Sequence, residues 1–299
     1  MRDLIVLGGG PAGLSAAIYA RRAGLSVLVL ERFAAGGQLM NTPEIDNYPG
    51  LPNIKGWELA ERLEQHAVSL GTEIQLASVS AISQNRENFD ISAGNGIIPC
   101  RAVIFALGAS RRKLGCAGED EFAGRGVSYC ATCDGNFFKG KAVAVVGGGD
   151  TALEDALYLE NLGCKVTLIH RRREFRASST LTDKILKSEI TLKLERNISA
   201  IGGNAAVESV TLDDGEVLNV SGVFVAVGVI PNTEMLRGIV KLSPSGHILT
   251  NENCRTEIPC LYAAGDAREK ELYQVVTAAS DGANAASAAA RDLNQRDIR

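Results

Sequence analysis

The sequence predicts an α/β chain of two three-layer units, the second inserted into the first. Three observations carry this. Short apolar runs suited to buried parallel strands alternate with helical patterns. One strand, glycine-rich turn and helix occurs twice at a constant offset. The 299 residues leave room for two cores at ~150 residues per domain. Hydrophobic residues at 45% and charged residues at 22% fit a soluble globular chain and argue against wholesale disorder. A formal net charge of -4 disfavours a general nucleic-acid surface, and 5% aromatics provide no platform for stacked bases. The sequence has no apolar, uncharged run long enough for a membrane-spanning helix, so no membrane association is expected.

The first element is the apolar run 4–7, Leu-Ile-Val-Leu, a buried strand. Gly8-Gly9-Gly10-Pro11-Ala12-Gly13 follows, then a helical pattern from Leu14 to Arg22 that Gly24 ends. Val27 to Leu30 form a second strand closed by Glu31. The start imitates a signal peptide, but three glycines and Pro11 break the apolar segment and Asp3 spoils its charged flank. An offset of 139 residues (Gly8 to Gly147) reproduces the series: strand Val143 to Val146, turn Gly147-Gly148-Gly149-Asp150-Thr151-Ala152, helix Leu153 to Leu162, strand Val166 to Ile169, and His170 at its close. Val103 to Gly108 resembles Val223 to Gly228, and these read as the strands that return to each sheet. Leu261 to Asp266 reads as a late strand ending in an acid. An alanine-rich helix from about Thr277 to Leu293 is expected to cover the first sheet.

Each GxGxx(G/A) turn stands between a strand and a helix, the context a dinucleotide fingerprint demands. Its glycines permit a tight turn and close approach of a pyrophosphate, which the helix N-terminus attracts. Both units are therefore expected to be dinucleotide-binding, Rossmann-like domains. Glu31 is placed to accept hydrogen bonds from a ribose 2′-OH and would repel a 2′-phosphate, so the first site suits FAD or NAD. The second site has no such carboxylate. His170, Arg171, Arg172 and Arg176 follow its strand and suit the 2′-phosphate of NADPH, while Arg173 reads as a solvated turn residue.

Seven cysteines fall far below disulfide-scaffold density, and the odd number argues against a fully paired secreted protein, so a cytoplasmic location is expected. Cys100, Cys116, Cys164, Cys254 and Cys260 are scattered and read as small core residues. Cys130-Ala131-Thr132-Cys133 is the one meaningful pair. Structural zinc would require two more ligands, which Cys254, Cys260 and three histidines do not provide at suitable spacing, so no metal is expected. A redox dithiol requires an electron source, which a dinucleotide site supplies. Asp134 next to the second cysteine is a candidate proton carrier, and Asp134-Gly135 is equally a turn dipeptide.

With these motifs the sequence resembles bacterial low-molecular-weight thioredoxin reductases over essentially its whole length. The matching segments are 8–13, Gly36-Gly37-Gln38, Asn47, Cys130 to Asp134, 147–152 with His170, Arg171, Arg172 and Arg176, Pro231-Asn232-Thr233 and Gly265-Asp266. The resemblance implies an NADPH domain at 114–237 inserted into an FAD domain formed by 1–113 and 238–299. It implies FAD at Gly8, Gly10, Pro11, Ala12, Gly13, Glu31, Gly37, Gln38, Asn47, Asp266, Gln274 and Val275. NADPH would lie at Gly147, Gly149, Asp150, Thr151, Ala152 and the cationic group after the second strand. Catalysis would rest on Cys130, Cys133 and Asp134, with Cys133 facing the flavin and Cys130 attacking the disulfide of thioredoxin. A homodimer is also implied. Two positions depart from the family: Tyr273 stands where Arg is usual beside the flavin, and Val229 where His is frequent. The dithiol, the nicotinamide and thioredoxin each need access in turn, so the inserted domain is expected to rotate on crossings near Lys113 to Gly118 and Thr233 to Gly238. The alternatives are a reductase of this fold fed by ferredoxin or a second flavin, a dithiol oxidase, and a non-catalytic flavin-binding protein.

Overall fold

The apolar runs before both glycine-rich turns become central strands of two parallel sheets in a computed structural model that describes residues 1–42, 44–94 and 96–298. The chain divides into one unit of Met1–Ser110 with Ile230–Arg299 and another of Arg111–Val229.

In the first unit β1 (Arg2–Leu7) leads into α1 (Pro11–Arg22) and β2 (Val27–Glu31). After α2 (Gly56–Ser69) the chain forms β3 (Glu73–Leu76), the hairpin β4 (Val79–Asn85) and β5 (Asn88–Ala93), and the long β6 (Gly96–Phe105). The parallel order is β3, β2, β1, β6, with Leu4 facing Val27 on one side and Ala102 on the other. Residues 4–7 are wholly buried, which is why they read as one continuous apolar run. The first half of β6 pairs antiparallel with β5. The late strand is Leu261–Ala263 and lies parallel to β6, with Leu261 opposite Val103. It stops before the expected Asp266, because Gly265–Ala267 turn into a short 3-10 helix.

The alanine-rich tail forms one helix, Val275–Ile298, whose buried alanines pack on α1. Small residues allow the two backbones to approach closely. A Cβ added at Gly282 would stand 2.0 Å from the Ala12 carbonyl oxygen, and Ser15 Oγ donates to the Ala279 carbonyl at 2.6 Å.

The second unit repeats the plan. β7 (Ala109–Arg111) spans the boundary into it, and after β8 (Val127–Ser128) the four-residue α3 (Ala131–Asp134) precedes β9 (Ala142–Val146). Then come α4 (Asp150–Asn161), β10 (Lys165–His170), α5 (Ser179–Lys187) and β11 (Thr191–Leu194). An antiparallel sheet of β12 (Ile198–Gly203), β13 (Val207–Leu212) and β14 (Val217–Asn219) follows, and then β15 (Gly222–Val225). The parallel order is β11, β10, β9, β15, β8. As in the first unit, the returning strand pairs directly with the strand before the turn.

Three further sequence expectations change. Both turn helices begin three residues earlier than their apolar periodicity, at Pro11 and Asp150. Their first turns consist of small or polar residues packed beside the loop, so no apolar stripe marks them. The hairpin β4–β5 and the sheet β12–β14 were not anticipated, because their strands are half exposed and carry no continuous apolar run. The chain passes between units at Ser110–Arg111 and Val229–Ile230, earlier than the expected crossings. Gly115 and Gly118 instead belong to a loop of the second unit: the Glu119 carboxylate accepts from the Leu114 and Gly115 amides, and a Cβ at Gly118 would meet the Ile201 carbonyl oxygen at 2.1 Å. Gly238 ends the 3-10 turn Glu234–Leu236 of the first unit.

Candidate functional site

The first turn is packed so closely that Gly8 and Gly13 leave no room for side chains. Gly8 has φ +104°, and a Cβ there would lie 2.4 Å from the Ala106 carbonyl oxygen. A Cβ at Gly13 would lie 1.8 Å from the Gly8 carbonyl oxygen, so the third small residue lets α1 close onto the turn. The N-cap residue of α1, Gly10, has no side-chain cap, which leaves the helix N-terminus suited to an anion. Glu31 reaches back from the end of β2. Its Oε2 accepts from the Gly9 amide at 2.7 Å, and its Oε1 accepts from the Arg32 and Phe33 amides at 2.7 and 3.1 Å. A carboxylate offers about four lone pairs, so capacity remains for a hydroxyl.

Three further segments converge on the same turn. The Gly36 amide donates to the Gly9 carbonyl at 2.8 Å, and a Cβ at Gly37 would stand 3.2 Å from Gly10 Cα. Gln38 donates from Nε2 to the Ala109 carbonyl at 2.8 Å. A Cβ at Gly265 would stand 2.9 Å from Ala12 Cβ, which sets Asp266 beside the α1 N-terminus. Asp266 Oδ1 is buried without a hydrogen-bond partner among the described residues. Asn47 Nδ2 donates to Gln274 Oε1 at 3.0 Å, so these two expected residues stand together just before Val275 opens the last helix.

The second turn repeats the first with one exchange. A Cβ at Gly147 would meet the Ala226 carbonyl oxygen at 2.3 Å, and Gly149 has open space above it. No side chain caps α4 at Gly149. Asp150 and Thr151 are exposed in its first turn, and Ala152 is buried beneath. His170 takes the place of Glu31, its ring so close to Gly148 that a Cβ there would lie 2.2 Å from Cε1. The ring is 7% exposed, stacks on Phe175 at 5.6 Å, and has Nε2 3.2 Å from the Glu174 carbonyl oxygen. Burial lowers its pKa, and Arg172, Arg171 and Arg176 lower it further against the Glu174 contact. His170 is therefore a neutral packing residue beneath the turn, whereas Arg171, Arg172 and Arg176 are exposed. Two bonds bring their loop against the turn: the Arg176 amide donates to the Gly148 carbonyl at 2.7 Å, and the Ser178 amide donates to Asp150 Oδ1 at 2.7 Å.

Cys130 and Cys133 form a disulfide with Cα atoms 5.3 Å apart. Cys130 is the N-cap of α3 and Asp134 its last residue. The Cys133 and Asp134 amides donate to the Cys130 carbonyl at 3.3 and 3.1 Å. Ser128 Oγ donates to Asp134 Oδ2 at 2.5 Å and accepts from the Cys130 amide at 3.1 Å. Tyr129, just before the pair, donates its hydroxyl to Glu119 Oε1 at 2.8 Å, and burial, followed by that contact with Glu119, raises its pKa out of the working range. Among the described residues no group of His, Cys, Asp and Glu could hold a metal ion.

Sequence reasoning missed Asp281 and Lys270. Asp281 is 7% exposed on the alanine face of the last helix. It accepts from the Gly265 amide at 3.1 Å, Arg268 at 2.8 Å and Lys270 at 3.0 Å, and so holds the turn that carries Asp266. Lys270 also pairs with Asp266 at 3.4 Å, and its Nζ stands 5.5 Å from the Tyr273 ring centre. A cation thus stands beside the position where the resembling family carries Arg and this chain carries Tyr273. The available signal was one acid interrupting an alanine-rich stripe.

Comparison with known proteins agrees with this geometry. The family profile described as "Pyridine nucleotide-disulphide oxidoreductase" matches residues 2–283. The thioredoxin reductase of Treponema pallidum (strain Nichols) is 44% identical over 295 residues, 96% of this chain and 96% of that protein. The thioredoxin reductase of Listeria innocua serovar 6a is 42% identical over 287 residues, 94% of this chain and 90% of that protein. The crystal structure of thioredoxin reductase from Streptococcus pyogenes MGAS5005 matches with a TM-score of 0.93 at 38% identity, covering 99% of both chains. The family profile covers nearly the whole chain, which also carries two glycine-rich turns and the Cys130–Cys133 disulfide, and the chain belongs to the pyridine nucleotide-disulphide oxidoreductase family.

Proposed function

We infer that the chain is an NADPH-dependent thioredoxin reductase, passing electrons from NADPH through FAD and the Cys130–Cys133 disulfide to the disulfide of thioredoxin. The observation that carries this reading is the disulfide itself, held in the unit that also bears a glycine-rich turn bordered by Arg171, Arg172 and Arg176. The similarity to thioredoxin reductases of 40% identity and above supports it.

The residues fit both cofactors. At the first turn Gly8, Gly10, Pro11, Ala12 and Gly13 form the turn that would take the FAD pyrophosphate, Glu31 retains lone pairs for a ribose, and Asp266 Oδ1, buried beside Lys270 Nζ at 3.4 Å but without a hydrogen bond, can accept one. Gly37, Gln38, Asn47, Gln274 and Val275 complete the flavin side of this reading. At the second, Gly147, Gly149, Asp150, Thr151 and Ala152 form the NADPH cradle. Arg171, Arg172 and Arg176 hold the 2′-phosphate, with neutral His170 as their support. When bound, the cofactors supply a hydride and deliver its electron pair to the disulfide.

The chain's own residues then carry the exchange with thioredoxin. After reduction Cys130 is a thiolate, Cys133 a thiol and Asp134 a carboxylic acid. Cys130 Sγ attacks one sulfur of the thioredoxin disulfide, that S–S bond breaks, and the departing sulfur takes the proton from Asp134. Asp134 then takes the Cys133 proton. Cys133 attacks Cys130 Sγ, restores the Cys130–Cys133 bond and releases the second thioredoxin sulfur, which receives that proton. Two electrons and two protons pass to thioredoxin, and Asp134 ends as a carboxylate.

We place the enzyme in the cytoplasm as a homodimer. The free thiols of Cys100, Cys116, Cys164, Cys254 and Cys260 suit a reducing compartment, and the dimer follows from the family resemblance. No helix among the described residues is long and apolar enough to cross a membrane.

An anaerobic assay with FAD-loaded protein, NADPH and oxidised thioredoxin tests the reading. The expected result is one thioredoxin disulfide reduced per NADPH, with NADH much poorer. Reduction by ferredoxin but not NADPH, or electron flow only to oxygen, would assign the chain to another reaction.

A further inference from the structure

We propose that Ser128 is the positioning residue for the Asp134 proton carrier, its hydroxyl serving Asp134 in both protonation states. This rests on the thioredoxin reductase reading above. Ser128 ends β8, whose partner β15 pairs Phe224 with Ser128, so a sheet fixes the hydroxyl. Asp134 ends a four-residue helix with little rigidity of its own. Between them Ser128 Oγ is 5% exposed by residue and meets three groups: Asp134 Oδ2 at 2.5 Å, the Cys130 amide at 3.1 Å and the Cys130 carbonyl oxygen at 3.3 Å.

A hydroxyl has one proton to donate and two lone pairs. While Asp134 is a carboxylate, the proton goes to Oδ2, the shortest of the three contacts, and one lone pair takes the Cys130 amide. When Asp134 is protonated at Oδ2, that acid donates to the second lone pair, and the hydroxyl turns its proton to the Cys130 carbonyl. Each state keeps the Ser128–Asp134 bond and the Cys130 amide bond with no movement of heavy atoms. Asp134 can therefore give up and regain its proton twice per turnover without losing its place beside the cysteines. The amide that Ser128 accepts belongs to Cys130, so the same hydroxyl ties the attacking cysteine to the carboxylate.

The test is a double-mutant cycle on the FAD-loaded protein, comparing wild type, S128A, D134N and S128A/D134N. Thioredoxin reduction is read against pH, and flavin reduction by NADPH serves as a check on integrity. Ser128→Ala should leave flavin reduction near the wild-type rate and slow thioredoxin reduction about tenfold. It should also move the acid limb of the pH profile upward by about one unit, because the carboxylate loses a charge-assisted donor. Ser128→Thr keeps the hydroxyl and should restore the profile. In the D134N background the same change should cost little, since its partner is already gone. If Asp134→Asn slows turnover but Ser128→Ala adds the same loss in both backgrounds with an unmoved profile, the proposal is overturned and the reductase reading stands. If Asp134→Asn has no effect on thioredoxin reduction, the proton role of Asp134 and the proposal fail together.

Discussion

Position 31 and its repeat, position 170, show how one substitution redirects a site. Each side chain closes a strand and turns back onto the middle glycine of its turn. Glu31 does so by accepting the Gly9 amide, and His170 by laying its ring on Gly148. Replacing a carboxylate with a neutral ring removes the charge that would repel a phosphate, and the arginines that follow add attraction. A charge-assisted contact of this kind contributes ~1.5–3 kcal/mol, so Arg171→Ala should weaken NADPH binding roughly 10- to 150-fold with little change for NADH. Titration of both nucleotides by flavin reduction measures this, and equal losses would rule out a 2′-phosphate contact. The cysteines separate in the same way. Cys133→Ser leaves Cys130 able to attack but removes the resolving thiol, so a stable mixed disulfide with thioredoxin is expected on a non-reducing gel. Steady turnover in that variant would reverse the two assignments.

The last helix packs its alanine stripe on α1 and ties its C-terminal half to the late strand. Near its C-terminal end Asp292 accepts from Arg255 at 2.9 and 2.8 Å and from the Tyr262 hydroxyl at 2.5 Å. Burial raises the pKa of this carboxyl, but the donated bonds from Arg255 and Tyr262 outweigh burial and hold it below its ordinary value. The folded pKa is depressed, so the stabilisation is present above the unfolded pKa near ~4 and is lost as pH falls through the folded value. Asp292→Asn should destabilise the protein by about 1–3 kcal/mol at pH 7 and flatten its stability profile below pH ~4. Urea melts from pH 3 to 7 check both parts, and a variant that keeps the acid slope would show that other carboxylates carry it. Gly282 on the same helix has a different constraint. A Cβ there meets the α1 backbone, so even alanine would push the helices apart.

The inserted second unit has its own cores. Buried clusters around Val146, Val223 and Val210, and around Val143, Leu153 and Phe224, lie within 111–229, and the large cluster around Leu4, Phe105 and Ala286 lies in the first unit. Separate cores predict two unfolding transitions. A ligand stabilises what it binds by RT ln(1 + [L]/Kd), about 2.7 kcal/mol at one hundred times Kd. Excess FAD should therefore raise one transition and NADP+ the other, as followed by calorimetry. A single transition raised equally by both would show that the units unfold together.

The repeat was legible because its physics is local. A buried parallel strand must be apolar throughout, a turn in which a Cβ on Gly13 would lie 1.8 Å from the Gly8 carbonyl oxygen leaves no room there for a side chain, and a helix N-terminus needs no partner from elsewhere to favour a phosphate. The cysteine spacing was legible for the same reason. Other features depend on residues distant in sequence, and no window along the chain shows them. Asp281 is one acid among alanines until the fold brings Gly265, Arg268 and Lys270 to it, and Ser128 is an unremarked strand residue until Asp134 turns back onto it. His170 read as one of the 2′-phosphate residues because three arginines follow it. Burial against Gly148, a contact formed only when the turn folds over β10, makes it neutral instead.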